Sequence, residues 1–158
     1  MRTRSKLFSL ALVVASLCCV AAAAASARAQ GRYRGERYTK GDVDRIIKRV
    51  EDRSDSFKKL VDRSLDRGVL DGTNAEDRIN EQVKDLERAL DDLRDDFDRT
   101  DTWRETRRHV EKVLREADEV NYIVNHRNLR PDVERLWGLL RADINRLAGI
   151  YNLPRLKA

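Results

Sequence analysis

From residue 43 to residue 151 apolar side chains recur in alternating steps of four and three, and no other feature restricts the fold as strongly. A repeat of about 3.5 residues lays them along one face of a helix, whereas a half-buried strand needs strict alternation. The cleanest run is Ile79, Val83, Leu86, Leu90, Leu93 and Phe97. Its start carries Thr73-Asn74-Ala75-Glu76, a capping box in which threonine and glutamate satisfy the first free backbone N–H groups.

The same pattern predicts three further helices. The first spans about Lys40 to Arg67, with Thr39 as N-cap and Val43, Ile47, Val50, Ser54, Phe57, Val61 and Ser64 inward. Gly68 suits a left-handed C-cap, and Asp71-Gly72 suits the turn that follows. A second capping box, Thr102-Trp103-Arg104-Glu105, opens a helix running to about His126, with Trp103, Thr106, Val110, Val113, Ala117, Val120 and Val124 inward. The last begins at Pro131, a residue suited to the first helical position, and buries Val133, Trp137, Leu140, Ile144, Leu147 and Tyr151 before Pro154 closes it.

Short connections make sequential helices antiparallel neighbours, so the expected fold is all-α: a single up-down-up-down four-helix bundle over residues 41–154, with a tail at 155–158. Counting from the turns, Phe57 shares a layer with Leu86, Ala117 and Leu140, and Trp137 one with Val61, Val83 and Val120. Trp103, Phe97 and Tyr151 gather near Val43 at the other end. Large rings opposite small residues are what a specific core needs.

The bundle is preceded by the three parts of a secretory signal: Arg2, Arg4 and Lys6, then the apolar or small residues 7–25, then Ala27-Arg28-Ala29. Cleavage is expected after Ala29, with an uncleaved membrane anchor as the alternative. Both cysteines, Cys18 and Cys19, would leave with the signal, so no disulfide or thiolate ligand is expected in the mature domain. Four of the 33 basic residues would leave too, putting 29 bases against 28 acids. The basic balance of the full chain is therefore no argument for nucleic acid binding. Residues 30–40, QGRYRGERYTK, read as a flexible basic arm.

Catalytic and cofactor chemistry finds little to work with. His109 and His126 are the only histidines, and seventeen residues of helix hold them roughly 25 Å apart. No Glu-x-x-His occurs, and Met1 is the only methionine, so neither a di-iron site nor haem is expected and no cofactor is assigned. His126 reads as a cap on the negative end of its helix and His109 as flanking surface. Ser54, Ser64 and Thr106 have no histidine in their layers, so no catalytic triad is expected and the chain reads as non-enzymatic. Asn121, beside Val120, reads as a buried amide that specifies helix alignment.

Two charged features remain. The run LDDLRDDFD crowds Asp91, Asp92, Asp95, Asp96 and Asp98 near a helix C-terminus, where the helix dipole disfavours them. It reads as a weak divalent-cation site, as a docking face for a basic partner, or as a solvated face eased by Arg88, Arg94 and Arg99. In the arm, Arg32, Tyr33, Arg34, Arg37 and Tyr38 combine charge with aromatic rings, as contact with an anionic envelope partner requires, or form a soluble linker.

In shape and export the chain resembles periplasmic helical-bundle groups. It lacks the Leu-Thr-x-x-Gln of the stress-induced chaperones among them and the methionine and histidine density of metal-resistance sensors. The expected role is that of an exported periplasmic or secreted protein that binds a partner or self-associates through its surfaces. A ligand- or cation-binding bundle using the acidic end of helix two is the alternative.

Overall fold

Four α-helices and one 3-10 turn, with no strand among the described residues, build the computed structural model, which describes residues 37–65, 74–127 and 129–157. The expected signal peptide, Arg32, Tyr33, Arg34, Gly68 and the Thr73 cap lie outside them. Contacts divide the chain at Thr39, and Lys40–Ala158 forms one unit. Its helices are α1 (Lys40–Leu65), α2 (Asn74–Arg99), α3 (Arg107–His126) and α4 (Pro131–Ile150).

The helices exist because each buries one stripe. On α1, Val43, Ile46, Ile47, Val50, Ser54, Phe57, Val61 and Leu65 are buried. Ile79, Val83, Leu86, Leu90, Leu93 and Phe97 are all buried on α2, joined by Ala89. Packing forms a ring in which α1 meets α2 and α4 while α3 meets α2 and α4, and the α3–α4 seam is the loosest.

Paired side chains give the direction of each neighbour. Lys40, starting α1, donates to the Thr100 carbonyl just past α2, while Lys58 further along α1 meets Glu87 at 2.5 Å. Between them Arg94 of α2 grips Glu51 at 2.8 Å and Asp44 at 2.6 Å. These two carboxylates, Glu51 foremost, hold the guanidinium more firmly protonated than usual. On α3, Lys112 reaches Asp92 at 2.7 Å and His109 reaches Asp96 at 3.3 Å. The sequence positions rise on one helix as they fall on the other in both pairs.

Aromatic packing brings Trp103 and Tyr151 together as expected and also joins Phe57 to Trp137, which were placed in separate layers. Phe57 and Trp137 touch at 5.4 Å between ring centroids, and Trp103 meets Tyr151 edge-on at 5.0 Å. The start of the third helix departs from expectation: Trp103–Thr106 is a 3-10 turn, and α3 begins only at Arg107. Thr102 and Glu105 do close their capping box, the Thr102 N–H donating to Glu105 Oε1 at 3.2 Å and its hydroxyl to the same oxygen at 2.8 Å. The tighter turn is accompanied by a bond that the Thr106 hydroxyl donates to the Trp103 carbonyl and by a hydrogen bond between the Thr106 and Tyr151 hydroxyls, each at 2.8 Å.

α4 ends in a Schellman motif. Asn152 takes the left-handed conformation (φ 53°), its N–H meets the Gly149 carbonyl, and the Leu153 N–H meets the Ala148 carbonyl at 2.9 Å. The chain then turns back, and Leu156 in the expected tail is buried.

Candidate interaction surface

The acidic run on α2 does not act as one cluster, because a helix turns about 100° per residue. Asp98 faces back to Arg94 at 3.6 Å. Asp96 faces α3, where it meets His109, and lies 4.0 Å from Arg99. Asp95 is exposed. Only Asp91 and Asp92 share a site, a surface groove of about 470 Å³ between α2 and α3, also lined by Asp85, Arg88, Lys112 and Glu116. Among the described residues, no group of three histidine, cysteine or acidic side chains is placed to hold a metal ion.

Within the groove, Arg88 pairs with Asp85 and Lys112 with Asp92. Asp91 and Glu116 make no ion pair among the described residues. The neighbours Asp91 and Asp92 consequently respond in opposite ways. Partial burial, then the charges of Glu87, Asp55, Asp95 and Asp92, raise the Asp91 carboxyl above the usual carboxylate range. The Lys112 ammonium holds Asp92 below it.

Of the arm residues, Arg37 and Tyr38 are described, with the guanidinium 5.9 Å from the centre of the Tyr38 ring. The histidines do what their helix positions imply. His126 Nδ1 lies 2.8 Å from the Tyr122 carbonyl at the end of α3, its ring stacked on Tyr122. His109 is taken up by Asp96 and by Arg108, whose Nε is 3.3 Å from its Nε2.

A second surface was not foreseen. Asn145 on α4 donates to the Leu156 carbonyl at 3.2 Å and accepts from the Leu156 N–H at 2.7 Å, holding both backbone groups of one tail residue. Asn121 on α3 donates to the Lys157 carbonyl at 3.1 Å, while its own oxygen accepts from Trp137 Nε1 at 2.9 Å and from Arg141 at 3.3 Å. Arg141 also donates to the Lys157 carbonyl at 3.2 Å. Asn121 is thus the buried amide that was expected, with the tail as an added partner. The sequence signal for the tail was faint: one leucine after a proline, too short a stretch for any period.

Comparison with known proteins found no matching family model, no matching curated protein and no matching solved structure.

Proposed function

We propose that the chain is an exported, non-enzymatic, up-down-up-down helical bundle that acts by binding a basic partner through the charged face of α2 and α3. The observation that carries this reading is the groove at Asp91, where two carboxylates make no ion pair among the described residues beside two that do. A partner that brings a lysine or arginine to Asp91 would relieve crowding already evident in its raised pKa. The amino-terminal charge and apolar pattern supports export with cleavage after Ala29. Among the described residues no helix is long and apolar enough to cross a membrane. The basic arm, with Arg37 and Tyr38, adds a contact of opposite sign for anionic envelope material.

Native mass spectrometry of the protein recovered from its own secretory compartment tests this reading. A mass corresponding to Gln30–Ala158, with a bound partner lost between low salt and about 0.5 M, is the expected result, since exposed charges are screened over a few ångströms there. A partner retained unchanged in high salt, or retained by Asp91→Lys, would overturn the charged-face reading. Calcium titration of the thermal melt separates the cation-binding alternative. Calcium at 100-fold over its dissociation constant would add about 2.7 kcal/mol of stability.

A further inference from the structure

Two basic side chains of α3 cross its seam with α2, about one helical turn apart. Lys112 meets Asp92 at 2.7 Å, and His109 meets Asp96 at 3.3 Å. The two crossings differ in kind. An imidazole gains or loses its charge between about pH 5 and 8, whereas an ammonium in water carries its charge throughout that range. The second crossing therefore depends on a proton.

His109 Nε2 has two partners that it cannot satisfy at once. Arg108 Nε, on the same helix, lies 3.3 Å away and donates to it, which requires a lone pair on the ring nitrogen. Asp96 Oδ2, on α2, lies 3.3 Å from the same atom and requires a proton there. Neither partner can adapt, because a guanidinium only donates and an ionised carboxylate only accepts. The structure holds the arrangement with Nε2 unprotonated: the Arg108 contact is a hydrogen bond, and the Asp96 contact becomes an ion pair only when the ring is charged. A neutral His109 so bonded carries its proton on Nδ1.

The other charges around the ring have partners of their own. On α2, Arg99 lies 4.0 Å from Asp96, and Asp92 is bonded to Lys112, although a charge on His109 also helps to hold the Asp92 carboxyl low. In the turn before α3, Glu105 accepts from Thr102, and Arg104 lies over the Trp103 ring. Among the described residues, no ion pair or hydrogen bond reaches His109 from α1 or α4.

We propose that His109 is a proton-operated latch between α2 and α3. While the ring is neutral, Nε2 accepts from Arg108 and α3 keeps the bond to itself. A proton taken from solvent turns Nε2 into a donor to Asp96, and α2 is fastened to α3 at a second point. Arg108, already exposed, is repelled by the new charge and turns to solvent. One hydrogen bond replaces another, so the helices stay in place and only what crosses the seam changes. The latch involves no partner and stands independently of the charged-face reading.

NMR of the protein carrying isotope-labelled histidine tests this, with His109 assigned by the loss of its signals in His109→Gln. Near pH 8 the neutral ring is expected in the Nδ1–H form, at least about fivefold over Nε2–H, as one net hydrogen bond would enforce. Arg108→Leu leaves Asp96 as the one partner and is expected to reverse that ratio. On acidification the Arg108 Nε–H signal is expected to move to that of a solvated arginine, with the same midpoint as His109. Asp96→Ala should lower this midpoint by at least about 0.3 pH units, a twofold loss of proton affinity, because the charged ring loses its acceptor.

A neutral ring in the Nε2–H form, or an Arg108 signal that ignores the transition, overturns the proposal. So does a tautomer ratio indifferent to Arg108→Leu, or a midpoint indifferent to Asp96→Ala. Should either variant fail to fold, the tautomer and the shared midpoint in the unchanged protein decide alone.

Discussion

Trp137 Nε1 donates to Asn121 Oδ1 at 2.9 Å, and the other side of the same amide donates to the Lys157 carbonyl. One buried amide therefore links the largest core side chain to the carboxy-terminal tail. Asn121→Ala leaves the indole N–H without its partner, and we expect a loss of about 1–3 kcal/mol in urea unfolding. In the Trp137→Phe background, where the indole donor is gone, the same change is expected to cost at least about 0.5 kcal/mol less. Equal costs in both backgrounds would show that the bond contributes nothing.

Trp137 is 1% exposed and packs its ring against Phe57, so truncation cannot be relieved by solvent. Trp137→Ala is expected to lose about 3–5 kcal/mol, the range for removing a buried aromatic ring. A urea midpoint unchanged from the parent would take Trp137 out of the stabilising core.

Burial pushes the Tyr151 phenol up to about 12, with its Thr106 hydrogen bond acting weakly the other way. An unfolded chain releases this proton near 10, so below that pH the contribution to stability is complete. It is lost as pH rises from about 10 to about 12, amounting to about 2–3 kcal/mol. Chemical denaturation across that window should show a steeper fall for the parent than for Tyr151→Phe. Parallel curves would contradict the assignment.

Asp91 and Asp92 predict pH dependences of opposite sign. Asp92, held low by Lys112, contributes stability above the unfolded carboxylate range that disappears as pH falls through its lowered pKa. Asp91, held high, penalises the fold at neutral pH and ceases to do so once protonated. Both are exposed, so each effect is roughly a few tenths of a kcal/mol. Asp91→Asn should therefore raise the neutral-pH melting temperature slightly and Asp92→Asn lower it, and both differences should shrink as acid protonates the two carboxylates, that of Asp91 first. Shifts of the same sign would refute this account.

Asn152 sits at φ 53°, where glycine suffers no clash with a Cβ. Asn152→Gly is expected to gain up to about 1 kcal/mol, and Asn152→Val to lose at least as much. Thermal melts of the two variants moving in the same direction would show that the left-handed turn is not what governs this helix end.

The helices were legible because burial needs a stripe, and a stripe leaves a period in the text. Ile79 through Phe97 could be read one by one, and Pro131 marked the start of its helix without ambiguity. Two things left no period. Trp103 lies in a 3-10 turn, whose shorter repeat resembles the first turn of an α-helix over only four residues. The tail is bound through its backbone, which has no sequence signature, and only Leu156 betrays it. Asp143 was hidden for another reason: it lies on the buried side of α4, where Arg53 from α1 supplies its counter-charge. Such a pairing joins residues ninety positions apart and appears only once the helices are placed. The acidic run was visible as composition, but only geometry separated Asp91 and Asp92 from Asp96 and Asp98.

The grip of Arg94 on Asp44 and Glu51 has a consequence for sliding. Those two acids are seven residues apart, as are the apolar residues Val43, Val50 and Phe57 on the same helix, so a slip of one heptad keeps mostly apolar residues on the seam while costing Phe57 its place beside Trp137. The charges oppose the slip as well. A slip in one direction replaces Asp44 and Glu51 with Glu51 and Lys58, and in the other with Arg37 and Asp44. Either way a cation takes the place of an anion beside the guanidinium. The arginine thus acts as a detent, adding a charge-based stop to the packing of Phe57 in holding α1 and α2 at one longitudinal setting.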